Sequence, residues 1–86
     1  MSQLSQPARA ALNNARRALL DGDRHTARQW AEQAAKLSPE SEDPWLFLAA
    51  TSSPRASILY LQRALQISPN SQRARQGMHW AVQRLR

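Results

Sequence analysis

Trp30-Ala31-Glu32-Gln33-Ala34-Ala35-Lys36-Leu37-Ser38-Pro39-Glu40-Ser41 returns thirty positions later as Tyr60-Leu61-Gln62-Arg63-Ala64-Leu65-Gln66-Ile67-Ser68-Pro69-Asn70-Ser71. Trp30 overlays Tyr60, Ala31 overlays Leu61 and Gln33 overlays Arg63. After them Ala34, Lys36, Leu37, Ser38, Pro39 and Ser41 overlay Ala64, Gln66, Ile67, Ser68, Pro69 and Ser71. Self-similarity at a fixed interval is the signature of repeat architectures, so two copies of one helical unit are expected.

Outward from these stretches, apolar residues recur at spacings of three and four. Ala8, Ala11, Leu12, Ala15 and Leu19 predict a first helix ending near Gly22, and Asp23 then caps a second that carries Ala27, Trp30, Ala31, Ala34 and Leu37 up to Ser38-Pro39. Asp43-Pro44 starts a third, short helix with the apolar block Trp45, Leu46, Leu48 and Ala49, since proline is suited to a first helical turn. Thr51-Ser52-Ser53-Pro54 breaks the chain before a fourth helix defined by Ile58, Leu61, Ala64 and Leu65, with Leu59 as a further candidate, and ending at Ser68-Pro69. A fifth, capped by Asn70 or Ser71, carries Ala74, Met78, Ala81 and Leu85. Breaks this short leave no distance for crossing over, which predicts an all-α fold of five antiparallel helices built from helical hairpins. Alanines on the stripes allow helix axes to approach closely, and Trp30, Trp45 and Tyr60 fill the wider gaps.

Composition agrees and excludes several classes of function. The 86 residues suit one small domain that buries roughly 60–65% of the surface of its unfolded chain, too little for a large enzyme with a deep pocket. Zero cysteines exclude disulfides and cysteine-ligated metals, and His25 and His79 stand far apart, so neither a metal nor a cofactor is expected. No nucleophile with a base, phosphate loop or close histidine pair points to catalysis. The first residues lack a signal-peptide pattern and no apolar run reaches the roughly 20 residues of a membrane span, which predicts a cytoplasmic chain.

The net charge of +6 is unevenly placed. Residues 1–44 hold six basic and six acidic side chains, whereas residues 45–86 hold Arg55, Arg63, Arg73, Arg75, Arg84 and Arg86 with no acid. Such asymmetry points to an acidic partner, with a solubilising surface as the plain alternative.

At this point the chain resembles the tetratricopeptide repeat family over residues 8–86. Gly22-Asp23 matches the family's hairpin turn, Ala27 and Ala34 its small second-helix positions, and Pro39 its closing proline. Trp45, Leu48 and Ala49, then Ser57, Ala64 and Pro69, match the corresponding positions of a second unit. Pro39 and Pro69 lie thirty positions apart where the family has 34, so about one helical turn is missing around residues 50–55. The first unit also carries Ala11, Asn14, Ala15 and Ala18 where large residues are usual. The resemblance implies a helical-hairpin solenoid of about two and a half units: a flexible segment 1–7, a first repeat 8–39, a shortened second repeat 40–69 and a capping helix 70–86.

The resemblance further implies a binding module whose first helices line a concave face. Arg9, Leu12, Asn13, Arg16, Leu19 and Leu20 would come from the first helix, and Leu46, Phe47 and Ala50 from the third. The fifth would add Arg73, Gln76, Gly77, Trp80 and Arg84. Arg73, Gly77, Trp80 and Arg84 share one helical face by their spacing, and an aromatic between guanidiniums is a fitting anchor for an acidic or mixed peptide. The alternative for Trp80 is packing against the fourth helix or another copy. The family's known clamp for a terminal carboxylate is not expected, because its positions read Leu12, Arg16, Phe47, Arg73 and Gly77, of which only Arg73 fits. Two other functional classes stand beside peptide binding. One is head-to-tail homo-oligomerisation, with Glu40, Glu42 and Asp43 of one copy meeting Arg73, Arg75 or Arg84 of the next. The other is electrostatic binding of nucleic acid, which has neither a recognition motif nor several stacking aromatics in its favour.

Overall fold

Four serine and aspartate side chains start four of the helices. Ser5, Asp23, Ser53 and Ser71 each accept a hydrogen bond from the backbone N–H three residues on, at Ala8, Thr26, Ala56 and Ala74. The computed structural model describes residues 4–86. Met1, Ser2 and Gln3, part of the expected flexible segment, lie outside the described residues. The elements are α1 (Gln6–Leu20), α2 (Arg24–Leu37), α3 (Glu42–Ala50), α4 (Pro54–Ile67) and α5 (Gln72–Arg84), with no strand among the described residues. α1 begins two positions before the expected unit boundary at residue 8, because Ser5 caps it and Pro7 falls in its first turn.

Gly22 ends α1. It sits at a φ of 81°, its N–H reaches the Leu19 carbonyl, and the Asp23 N–H reaches back to Ala18. This pair of bonds satisfies two carbonyls of the last turn and needs a left-handed residue between them. Asp23 then opens α2 without an intervening residue.

The repeated Ser-Pro stretch is built the same way twice. Ser38 and Ser68 have nearly equal dihedrals (φ −139°, ψ 69° and φ −132°, ψ 84°), and their N–H groups bond Ala34 and Ala64. Each then accepts at its carbonyl from the serine three residues on, Ser41 or Ser71. The hydroxyls reach across as well. Ser38 bonds Ser5 ahead of α1, and Ser71 donates to Glu42 at the start of α3.

α3 has nine residues where α4 has fourteen, and side chains close its shortened end. The hydroxyls of Thr51, Ser52 and Ser57 donate to the carbonyls of Phe47, Leu48 and Ala49, while Arg28 of α2 donates through Nη2 to the Thr51 carbonyl at 2.8 Å. A cation and three donors at a helix C-terminus satisfy acceptors that the helix cannot.

Each helix packs on the next in sequence, and α3 also touches α5. The molecule is a flat slab of 35 × 32 × 16 Å. Its core is built mostly from alanine: Ala8, Ala11 and Ala34 surround Leu12, Ala15, Ala31 and Ala35 surround Leu48, and Ala49, Ala64, Ala74 and Ala81 surround Leu61. Trp45 and Tyr60, with ring centroids 6.3 Å apart, pack against both the Leu48 and the Leu61 cluster and so join them. Trp45 also donates from its indole nitrogen to the Pro39 carbonyl. α5 approaches α4 at Gly77, where an added Cβ would lie 3.0 Å from Leu61 Cδ2. No helix of the described residues is long and apolar enough to cross a membrane.

Candidate partner-binding concavity

The short α3 leaves a hollow beyond its last turn. Leu46, Ala49 and Ala50 of α3, together with the turn of residues 51–53, form its floor. The start of α2 walls it with Arg24 and Arg28, and α5 does so with Arg73, Gln76, Trp80 and Arg84. The space is about 920 Å³, and no carboxylate lines it. An apolar floor below guanidinium walls suits a ligand that is both apolar and anionic.

Trp80 and Arg84 form the α5 wall. Trp80 is 64% exposed, so its ring is available rather than packed into α4. The Arg84 guanidinium carbon stands 4.9 Å from the ring centroid. That stacking orients the cation while leaving its edge donors free for a carboxylate.

Arg73 lines the same hollow but is already engaged. Its Nη2 lies 2.9 Å from Asp43 and 3.1 Å from Glu42, and Ser71 donates to Glu42 at 2.9 Å. Burial raises the Glu42 pKa more than any other single influence acts on it, yet the hydrogen bonds from Ser68, Ser71 and Arg73 and the Arg73 charge together outweigh it and hold this carboxyl below its usual range. Of the acid–arginine contacts expected between copies, the one joining Glu42 and Asp43 to Arg73 is formed within one chain, where it clasps the start of α5 to the start of α3.

Of the residues named from sequence, the fold brings Leu46, Ala50, Arg73, Gln76, Gly77, Trp80 and Arg84 to this hollow. It does not bring Arg9, Asn13, Arg16 or Phe47 there. Arg9, Asn13 and Arg16 are exposed on α1, with Arg16 donating to the Asn13 amide oxygen at 3.0 Å. Phe47 packs against the Leu12 and Leu48 clusters, and Leu12 itself is 1% exposed, so both residues work as core rather than as groove. Sequence reasoning missed Arg24 and Arg28. Their spacing of four places them on one face of α2, a signal that was present, but the resemblance turned attention to the first helix of each unit. The Arg28 contact with Thr51 joins residues 23 positions apart, which no local pattern reveals.

Among the described residues no group of His, Asp or Glu is arranged to hold a metal ion. No protein-family model matches the chain, and no curated protein matches it.

Proposed function

We propose that the chain is a non-catalytic interaction module of tetratricopeptide-like helical hairpins that binds an acidic peptide or acidic protein segment in the hollow between α2, α3 and α5. The carrying observation is the pairing of an exposed Trp80, stacked by Arg84, with an arginine-lined space that contains no carboxylate. The repeat reading is supported by the twice-built Ser-Pro loop and by the hydrogen bonds from Ser38 to Ser5 and from Ser71 to Glu42, which tie the loops after α2 and α4 to the starts of α1 and α3. Such ties are what stacked antiparallel hairpins need, and the shortened α3 is where the missing turn of the second unit falls. Self-association through Glu42, Asp43 and Arg73 is disfavoured by their pairing within the chain.

The test is titration of a fluorescent acidic peptide into the wild type and the double variant Trp80→Ala/Arg84→Ala. Binding should weaken by at least about a hundredfold, the scale of a lost aromatic–arginine anchor, with helicity by circular dichroism unchanged. Unchanged affinity would sink the site.

A further inference from the structure

The hollow has two cationic walls rather than one continuous basic surface, and this narrows what fits it. α3 lies between α2 and α5 and touches both, so Arg24 and Arg84 face a shared floor from opposite sides. At the α2 wall, Arg28 is committed to the Thr51 carbonyl, and its Nε is buried without a hydrogen-bond partner in the described structure. That leaves Arg24, exposed at the first position of α2, as the cation of this side without an ion pair among the described residues. The start of α4, at Ser53 and Pro54, adds the positive end of a helix to the same rim. At the α5 wall, Arg73 is held by Glu42 and Asp43, which leaves Arg84 on Trp80 as the cation without an ion pair among the described residues. Between these two arginines the lining is mixed, with Leu46, Ala50, Ala81 and the Trp80 ring as its apolar part beside Gln76 and the hydroxyl residues of the 51–53 turn.

We infer that the site selects a peptide segment in which apolar side chains are flanked by carboxylates on both sides, one side bound by Arg24 and the other by Arg84. The inference rests on the reading of the hollow as a peptide site and specifies its ligand. Helices in contact lie about 8–10 Å apart, so a segment reaching from α2 across α3 to α5 spans at most about 20 Å between axes. An extended chain covers that distance in about six residues. A nucleic acid matches less well: its phosphates recur without apolar side chains between them, and Trp80 is the single exposed aromatic of the wall.

Three labelled hexapeptides of identical composition and charge test this. One places two leucines between pairs of glutamates; the others place both leucines at the N-terminus or both at the C-terminus. The two-sided peptide should bind about tenfold tighter than either isomer, the scale of one additional charge-assisted contact. Arg24→Gln and Arg84→Gln, both at exposed positions, should each remove that advantage while leaving the circular dichroism spectrum unchanged. If all three peptides bind within twofold of one another, the two-sided selection is overturned and the acidic-peptide reading stands. Should none bind at low salt, the reading fails and takes the inference with it. Displacement of the two-sided peptide by a short single-stranded oligonucleotide of equal charge, at lower concentration than the peptide itself requires, would overturn the ligand class.

Discussion

Gly22 and Gly77 are the only two glycines, and they serve opposite purposes. Gly22 supplies a left-handed φ with open space around it, so a side chain there meets no atom but strains the backbone. Gly22→Ala should lower stability by about 1 kcal/mol and Gly22→Asn by less, read from urea denaturation midpoints, because asparagine tolerates this conformation better. Gly77 has ordinary helical backbone, and its constraint is the neighbouring Leu61, 3% exposed within the alanine cluster. In Gly77→Ala, a helix-propensity gain of about 1 kcal/mol offsets most of the overpacking, leaving a change within about 1 kcal/mol. Gly77→Val has no such compensation and should cost about 2 kcal/mol or more. Equal midpoints for the alanine and valine variants would show that α5 does not sit against Leu61 as described. Gly22 was legible in the sequence as a turn, since it stands between two apolar stripes. Gly77 was legible only in part: its spacing placed it with the residues that line the hollow, as the fold does, and only the approach of α4 makes it a packing position as well.

At the scale of elements, the contact between α3 and α5 depends on charge. Glu42 sits at the first turn of α3, half-buried, under Ser68, Ser71 and Arg73. A carboxyl whose pKa is lowered by folding stabilises the fold above its unfolded value and loses that contribution as pH falls through the folded one. Stability should therefore decline as pH drops below about 4.5, the ordinary glutamate value, and the decline attributable to this clasp is complete below the lowered folded pKa. Glu42→Gln should be less stable than wild type at neutral pH by about 1 kcal/mol or less, since Arg73 is largely exposed, and its acid decline should be shallower. Thermal melts across the acid range check both features, and parallel declines for the two proteins would remove the clasp from the account. Asp23, lowered by hydrogen bonds from the Thr26 side chain and backbone, keeps a residual slope of the same sign in the variant. The five helices were legible because capping residues and apolar spacing act locally. The clasp was not, since an excess of arginine after residue 44 does not say which acid of the first half it meets.

For the whole molecule, the distribution of charge after folding differs from its distribution along the chain. The first 44 residues are neutral in sum, yet they contribute Arg24 and Arg28 to the cationic hollow and Glu42 and Asp43 to the partner of Arg73. With those two acids engaged, head-to-tail attraction between copies keeps only Glu40 of its three expected acids. Sedimentation should therefore give a mass near 9.7 kDa at both low and high salt. An oligomer that dissociates as salt rises would reinstate assembly through the basic half. Peptide binding, by contrast, should weaken with salt, because Arg24 and Arg84 are exposed cations.

The sequence by itself determined the number of helices, their stops at Gly22, Ser38-Pro39 and Ser68-Pro69, and the likeness of the two Ser-Pro loops, because helix periodicity, capping and turn chemistry act within a few residues. It also marked Trp80 and Arg84 as neighbours on one face, which four-residue spacing guarantees in any helix. Only the tertiary structure decided that Phe47 and Leu12 belong to the core, that Arg73 is spent on Glu42 and Asp43, and that Arg24 joins Arg84 around one hollow. These outcomes depend on which helix lies beside which and on where a shortened α3 stops, and contacts between residues twenty to thirty positions apart leave no periodic trace along a single chain.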